Sequence, residues 1–127
     1  IDRFRVLKKL SANDDEKAQD KAETELNTVY RCTNEIQCDE AWEKAMAYVE
    51  KHATTKLQLT GENIHMTRAP QLDTDISLTV ARITNKKTLE KKIFLDQQCR
   101  STVKGQDFCK SEASLNIKRG FLQELTQ

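Results

Sequence analysis

Four cysteines are the residues of this chain best placed to do chemistry. They fall as two local pairs, Cys32 with Cys38 and Cys99 with Cys109. An even number of cysteines in a small polar domain points to disulfides in an oxidising compartment. The local pairing Cys32–Cys38 and Cys99–Cys109 is favoured, because each bridge closes a short loop between predicted elements. On the chain-entropy argument the two loops contribute about 2.4 and about 2.8 kcal/mol. A long-range bridge such as Cys32–Cys109 contributes about 4.5 kcal/mol on the same argument, so energy alone does not exclude it. Four free thiols and a metal site are the other readings. Neither pair has the C-x2-C to C-x4-C spacing common in zinc sites. His52 and His65 sit in different predicted elements.

Other chemistry is sparse. A Cys38–His52 nucleophile pair would need both groups together. If a helix begins at Asp39, His52 lies near its far end, about 20 Å away at 1.5 Å per residue. His65 lies between Ile64 and Met66, opposite in phase to them, so it is expected to face solvent or a neighbouring side chain. Asp14, Asp15, Asp39 and Glu40 are sufficiently explained as acidic residues at helix N-termini. Lys86, Lys87, Lys91 and Lys92 flank one loop. They either form a basic patch for anionic lipid or polysaccharide or protect a sheet edge and keep it soluble. No G-x-S-x-G, H-E-x-x-H, G-x-x-x-x-G-K-[ST] or G-x-G-x-x-G occurs, and three glycines leave little for a phosphate cradle. No catalytic residue, metal site or cofactor is assigned.

The elements that must position these residues fit one domain of 127 residues. Hydrophobic residues make up 37% and charged residues 32%, which leaves a modest core. Net charge is +1, without the basic excess usual in nucleic-acid binders. No apolar run is long enough to span a membrane. The first residue is Ile1, not Met, as expected of a processed or trimmed chain once preceded by a signal peptide, a lipidated cysteine or a membrane helix.

Residues 1–10, IDRFRVLKKL, set Ile1, Phe4 and Leu7 among Arg3, Arg5, Lys8 and Lys9. This is either a basic amphipathic contact with a membrane surface or the start of a helix packed on the domain. Residues 13–29 read as a helix with Ser11 or Asn13 as cap and a thin stripe of Ala18, Ala22, Leu26 and Val29. Together, residues 1–30 form a charged N-terminal helical segment, ahead of a disulfide-stabilised α+β domain over 31–127. Residues 30–38 read as a cysteine loop. Residues 39–53 give the clearest helix, capped by Asp39, with Ala41, Trp42, Ala45, Met46 and Val49 on one face. Strand-like segments follow at 56–68, where Gly61 marks a bulge or turn, at 75–84 and at 91–100. Residues 101–109 read as a second cysteine loop. Residues 110–126 read as a last helix capped by Ser111, with Leu115, Ile117, Phe121, Leu122 and Leu125 facing the core. The expected architecture is α+β: a three-stranded antiparallel meander with packing helices before and after it, and two local disulfides.

The stretch C-x5-C-D-E-A-W-E-K-A-x-x-Y-V-E-K-H, from Cys32 to His52, resembles uncharacterised small bacterial cell-envelope proteins, often lipoprotein-like. The likeness continues through K-L-Q-L-T-G-E-N-I-H-M-T, Pro70, L-T-V-A-R-I-T and a second cysteine pair, over about residues 30–110. Two features depart from that pattern: the C-x9-C spacing of the second pair and the acidic, Ala-rich segment before Cys32. The resemblance implies a compartment and a fold, and supplies no activity.

The expected function is therefore a non-enzymatic domain of the periplasm, or anchored to a membrane facing it. It would bind a protein partner or self-associate there, without nucleic acid. One alternative is a small-ligand or lipid-binding domain, with a cavity lined by Trp42, Met46, Leu78 and Phe94. Another is a secreted effector, inhibitor or enzyme.

Overall fold

The structure, a computed structural model, describes residues 27–127. The expected membrane-surface segment 1–10 and most of the expected helix 13–29 lie outside the described residues. Along the rest of the chain, strand β1 (Val29–Arg31) leads into helix α1 (Glu35–His52). Strands β2 (Leu57–Thr60), β3 (Ile64–Thr67), β4 (Ser77–Thr84) and β5 (Lys91–Gln98) follow. Helices α2 (Val103–Cys109) and α3 (Glu112–Thr126) close it.

Helix α1 forms because its capping and its periodicity agree. The Asn34 side chain accepts a hydrogen bond from the Gln37 N–H at 2.8 Å. Glu35 lies in the first turn and Lys51 and His52 in the last, matching the helix dipole. Cys38, Ala41, Trp42, Ala45, Tyr48 and Val49 recur at helical spacing and are buried. The helix thus starts before Asp39. Asp39, expected as the cap, instead pairs with Arg82 at 2.9 Å.

The five strands form one antiparallel sheet in the order β1-β5-β4-β3-β2. The α+β class holds, but among the described residues the sheet has five strands rather than three. Two features account for the difference. Gly61 turns the chain so that residues 56–68 make a hairpin, β2 with β3, where Gly61 N–H donates to the Ile64 carbonyl at 2.7 Å. Val29–Arg31 is too short to show any period, yet it pairs with Phe94, Ile93 and Lys92 of β5. Val29, the last residue of the expected helix, is therefore in a strand, and the sheet takes in Val29 and Tyr30 ahead of the domain start expected at residue 31.

Helix α1 crosses β3, β4 and β5, and α3 packs on α1, β1 and β5. The core between them joins Tyr30, Trp42, Val49, Leu78, Val80, Ile93, Leu95, Phe121 and Leu125. Each fully buried side chain of this size contributes about 1.5–3 kcal/mol. Met46 packs at the margin. Both disulfides have the local connectivity, Cys32–Cys38 and Cys99–Cys109, and no cysteine is free. Within the second cysteine loop lies α2, which was not expected. Thr102 caps it by accepting from the Gly105 N–H at 3.0 Å. Gly105 is required there: a Cβ would stand 2.3 Å from the Arg100 carbonyl oxygen. Ser111 caps α3, as expected.

Candidate functional site: a strained loop beside the first disulfide

At one end of the sheet, three pieces of chain meet. The Cys32–Cys38 bridge folds the end of β1 back onto the first turns of α1. Cys38 is fully buried and Cys32 half-buried. The Cys32 N–H donates to the Lys91 carbonyl at 2.9 Å, extending the β1–β5 pairing up to the bridge. Facing it is the hairpin loop between β4 and β5, residues 85–90.

That loop is built around Asn85. Its side-chain oxygen accepts from the N–H groups of Lys87 (2.8 Å) and Thr88 (3.2 Å). Its carbonyl accepts from the Leu89 N–H at 2.8 Å, and its own N–H donates to the Glu90 carbonyl at 2.8 Å. Closing the hairpin this way places Leu89 at φ 60°, the one non-glycine residue with positive φ among the described residues. Loops of this kind usually fill the left-handed position with Gly or Asn. Leu89 is nevertheless 73% exposed, so packing does not explain its presence. A strained, exposed, apolar residue is a pointer to function.

A groove of about 570 Å³ runs between the loop and the disulfide. Cys32, Thr33, Asn34 and Glu35 line one side, and Thr84 with Thr88 to Lys91 the other. Two ion pairs secure its edges: Lys91–Glu35 at 3.5 Å and Arg31–Glu90 at 2.8 Å. Such exposed pairs contribute at most about 1 kcal/mol each, enough to bias the loop position without locking it.

Of the residues singled out from the sequence, Cys32 and Lys91 line the groove, and the expected pocket residues lie elsewhere. Trp42 and Leu78 belong to the core with Met46 at its margin, whereas Phe94 is on the opposite face of the sheet. Phe94 sits between Ile93 and Leu95, both in the core, and strand neighbours point to opposite faces. The four do not line one cavity, and none of them lines the groove. Arg82 stacks over Trp42, 5.2 Å from the ring centroid, while holding Asp39, Asn63 and the Glu62 carbonyl. This ties α1 to the β2–β3 turn.

Of the two expectations for His65, solvent or a neighbouring side chain, the structure shows the second. His65 is 4% exposed under α1, with Nε2 3.2 Å from Glu50 and Nδ1 2.9 Å from the Thr60 hydroxyl. Its phase relative to Ile64 and Met66 is as expected, but α1 covers the histidine side. Cys38 is bridged and holds no thiol for His52. His52 instead stacks on Tyr48, with ring centroids 4.2 Å apart. Burial, and then Lys51, lowers the His52 pKa. Burial, and then Glu124, pushes the Tyr48 hydroxyl up to about 12, and that hydroxyl donates to the Ile117 carbonyl at 2.6 Å. The four loop lysines do not converge. Lys91 pairs with Glu35, whereas Lys92, its neighbour on β5, points to the opposite face.

Leu89 was not singled out from the sequence, although one signal was there. The loop N-K-K-T-L-E joins two strands without a glycine, so some other residue must take the left-handed position. Among the described residues no three His, Cys, Asp or Glu side chains group as a metal site, and no helix is long and apolar enough to cross a membrane. Comparison with known proteins found no matching family model, no matching curated protein and no matching solved structure.

Proposed function

We propose that this is a non-enzymatic domain of the periplasm, or of a membrane surface facing it, that binds a protein partner at the groove beside Cys32–Cys38. The two disulfides support an oxidising, extracytoplasmic setting. The observation that carries the binding reading is Leu89, held in a strained conformation and left exposed at the groove. A partner's apolar side chain would cover Leu89, while Arg31, Glu35, Glu90 and Lys91 supply a polar rim, the arrangement common to protein interfaces.

The test is site-specific photocrosslinking in the native cells, with the photoreactive side chain at position 89 and, as control, at exposed Gln123 on α3. One protein adduct at 89 and not at 123 is expected. Equal labelling at both positions, or none at 89, refutes the reading. A small ligand is the second reading, because the groove volume lies in the range of ligand sites, about 300–1,000 Å³. Native mass spectrometry of protein from its own cells would then show a bound small mass that is lost on Leu89→Asp.

A further inference from the structure

We infer that residues 1–26 dock across the second face of the sheet, over Phe94 and Asp96, as an internal cover. This goes beyond the groove reading. It also favours packing on the domain over membrane contact as the role of residues 1–10.

The strand register defines that face, because residues directly opposite one another on paired strands share a side. Val29, Phe94, Ala81 and Ile64 form one row across β1, β5, β4 and β3. Asp96, Thr79 and Met66 form a second row beside it. Among the described residues, all three helices gather on the other face. There α1 and α3 cover Leu78, Val80, Ile93 and Leu95, and α2 packs on α3. Yet the second face is closed. Phe94 is 5% exposed and Asp96 7%, and Ala81 and Thr79 are buried between them and β3. Neither Phe94 nor Ala81 belongs to the core under the helices. An uncovered antiparallel face is solvated, and sheet neighbours alone do not close over an upright phenylalanine ring.

A single chain closes this face, so neither a second copy nor a partner is needed to cover it. The 85–90 loop is not the cover: Ile83 stands between Ala81 and that loop on the same face and is 44% exposed. At the other ends of β4 and β5 the chain turns to the helix side, where Ile76 and Cys99 join the core. What remains is the chain ahead of Asn27. It ends two residues before Val29, which heads the row at Phe94. Four strands about 4.8 Å apart make that row about 14 Å wide. Residues 13–26, read as helix, span about 21 Å, enough to cross it. The chemistry also fits. Asp96 is buried and does not stand unpaired, and a buried carboxylate is held by a cation or by several donors. Residues 1–10 carry Arg3, Arg5, Lys8 and Lys9 against one acid, Asp2, with Phe4 and Leu7 among them. That mixture of cations and apolar groups matches a face that sets Asp96 beside Phe94.

Photocrosslinking within the purified full chain tests this. A benzophenone side chain replaces Ile83 or, as control, exposed Glu43 on α1. Unlabelled and isotope-labelled chains are irradiated together, the adducts are mapped after digestion, and melting curves confirm that each variant is folded. From position 83 an adduct of monomer mass is expected, joined to a peptide from residues 1–26; position 43 should give none. Phe4→Asp/Leu7→Asp sets carboxylates against Asp96 and should abolish the adduct. An adduct joining labelled to unlabelled chains places a second copy on this face and overturns the proposal. So does an adduct confined to residues 27–127, no adduct at 83, equal labelling from 43, or an adduct that survives Phe4→Asp/Leu7→Asp. None of these outcomes bears on crosslinking at Leu89.

Discussion

Replacing Leu89 with glycine should stabilise the protein, although it deletes a large apolar side chain. The left-handed conformation at φ 60° costs a residue with a Cβ about 1–2 kcal/mol. Glycine adopts it freely but brings extra unfolded-state entropy of about 0.5–1 kcal/mol. Little burial is forfeited, because Leu89 is 73% exposed. The balance is a gain of about 0.5–1 kcal/mol, or a rise in Tm of a few degrees for a domain of this size. Leu89→Ala is the control. It removes the same apolar surface and keeps the Cβ, so it should leave stability nearly unchanged, with Leu89→Asn between the two. Urea unfolding followed by Trp42 fluorescence measures all three on one scale. If Leu89→Gly is no more stable than Leu89→Ala, the loop is not strained and the argument that Leu89 is kept for binding loses its basis. If the reasoning holds, the more stable glycine variant is the weaker binder.

Three further outcomes follow from packing and charge. Gly105→Ala brings a Cβ to 2.3 Å from the Arg100 carbonyl oxygen, so α2 must shift; a loss of about 1–3 kcal/mol is expected in urea unfolding. At Gly120 a Cβ would stand 2.9 Å from the Tyr48 hydroxyl. Gly120→Ala should therefore destabilise the natural chain but stabilise a Tyr48→Phe background by about 0.5–1 kcal/mol through helix propensity, and a double-mutant cycle reads the coupling. Acid should weaken the fold in two stages. The folded-state His52 pKa is lowered, chiefly by burial, so its contribution is complete above the unfolded histidine value and is lost as pH falls through the lower folded one. The Asp75 carboxyl, which accepts from the Gln71 and Leu72 N–H groups at 2.9 Å each, is likewise held low. Its contribution is present above the ordinary carboxylate value and is lost at lower pH. Melting temperature against pH should fall on the acid side, and His52→Gln should flatten only the upper stage.

The cysteine pairing was legible because short loops between predicted elements favour the local bridges. The face of α1 and the cap of α3 were legible because helical spacing and capping are local rules. Four features were not. Strand β1 has only three residues, and its strand character comes from β5, far along the chain. Helix α2 hides inside a disulfide loop, nucleated by the Thr102 cap and by the close approach at Gly105. Leu89 becomes conspicuous only once the hairpin around it is closed. The closed second face of the sheet is visible only when the strand order and register are known.

The sequence by itself determined the class, the oxidised cysteines, and which side chains share a face along each strand and helix. Those properties depend on neighbours a few residues apart. Alternation says that His65 opposes Ile64 and Met66, and that Phe94 opposes Ile93 and Leu95. It does not say which of the two faces a helix will cover. The tertiary structure decided that, by packing α1 over the side that carries His65, Val80 and Leu95, because burial is settled by long-range contacts that no local spacing encodes.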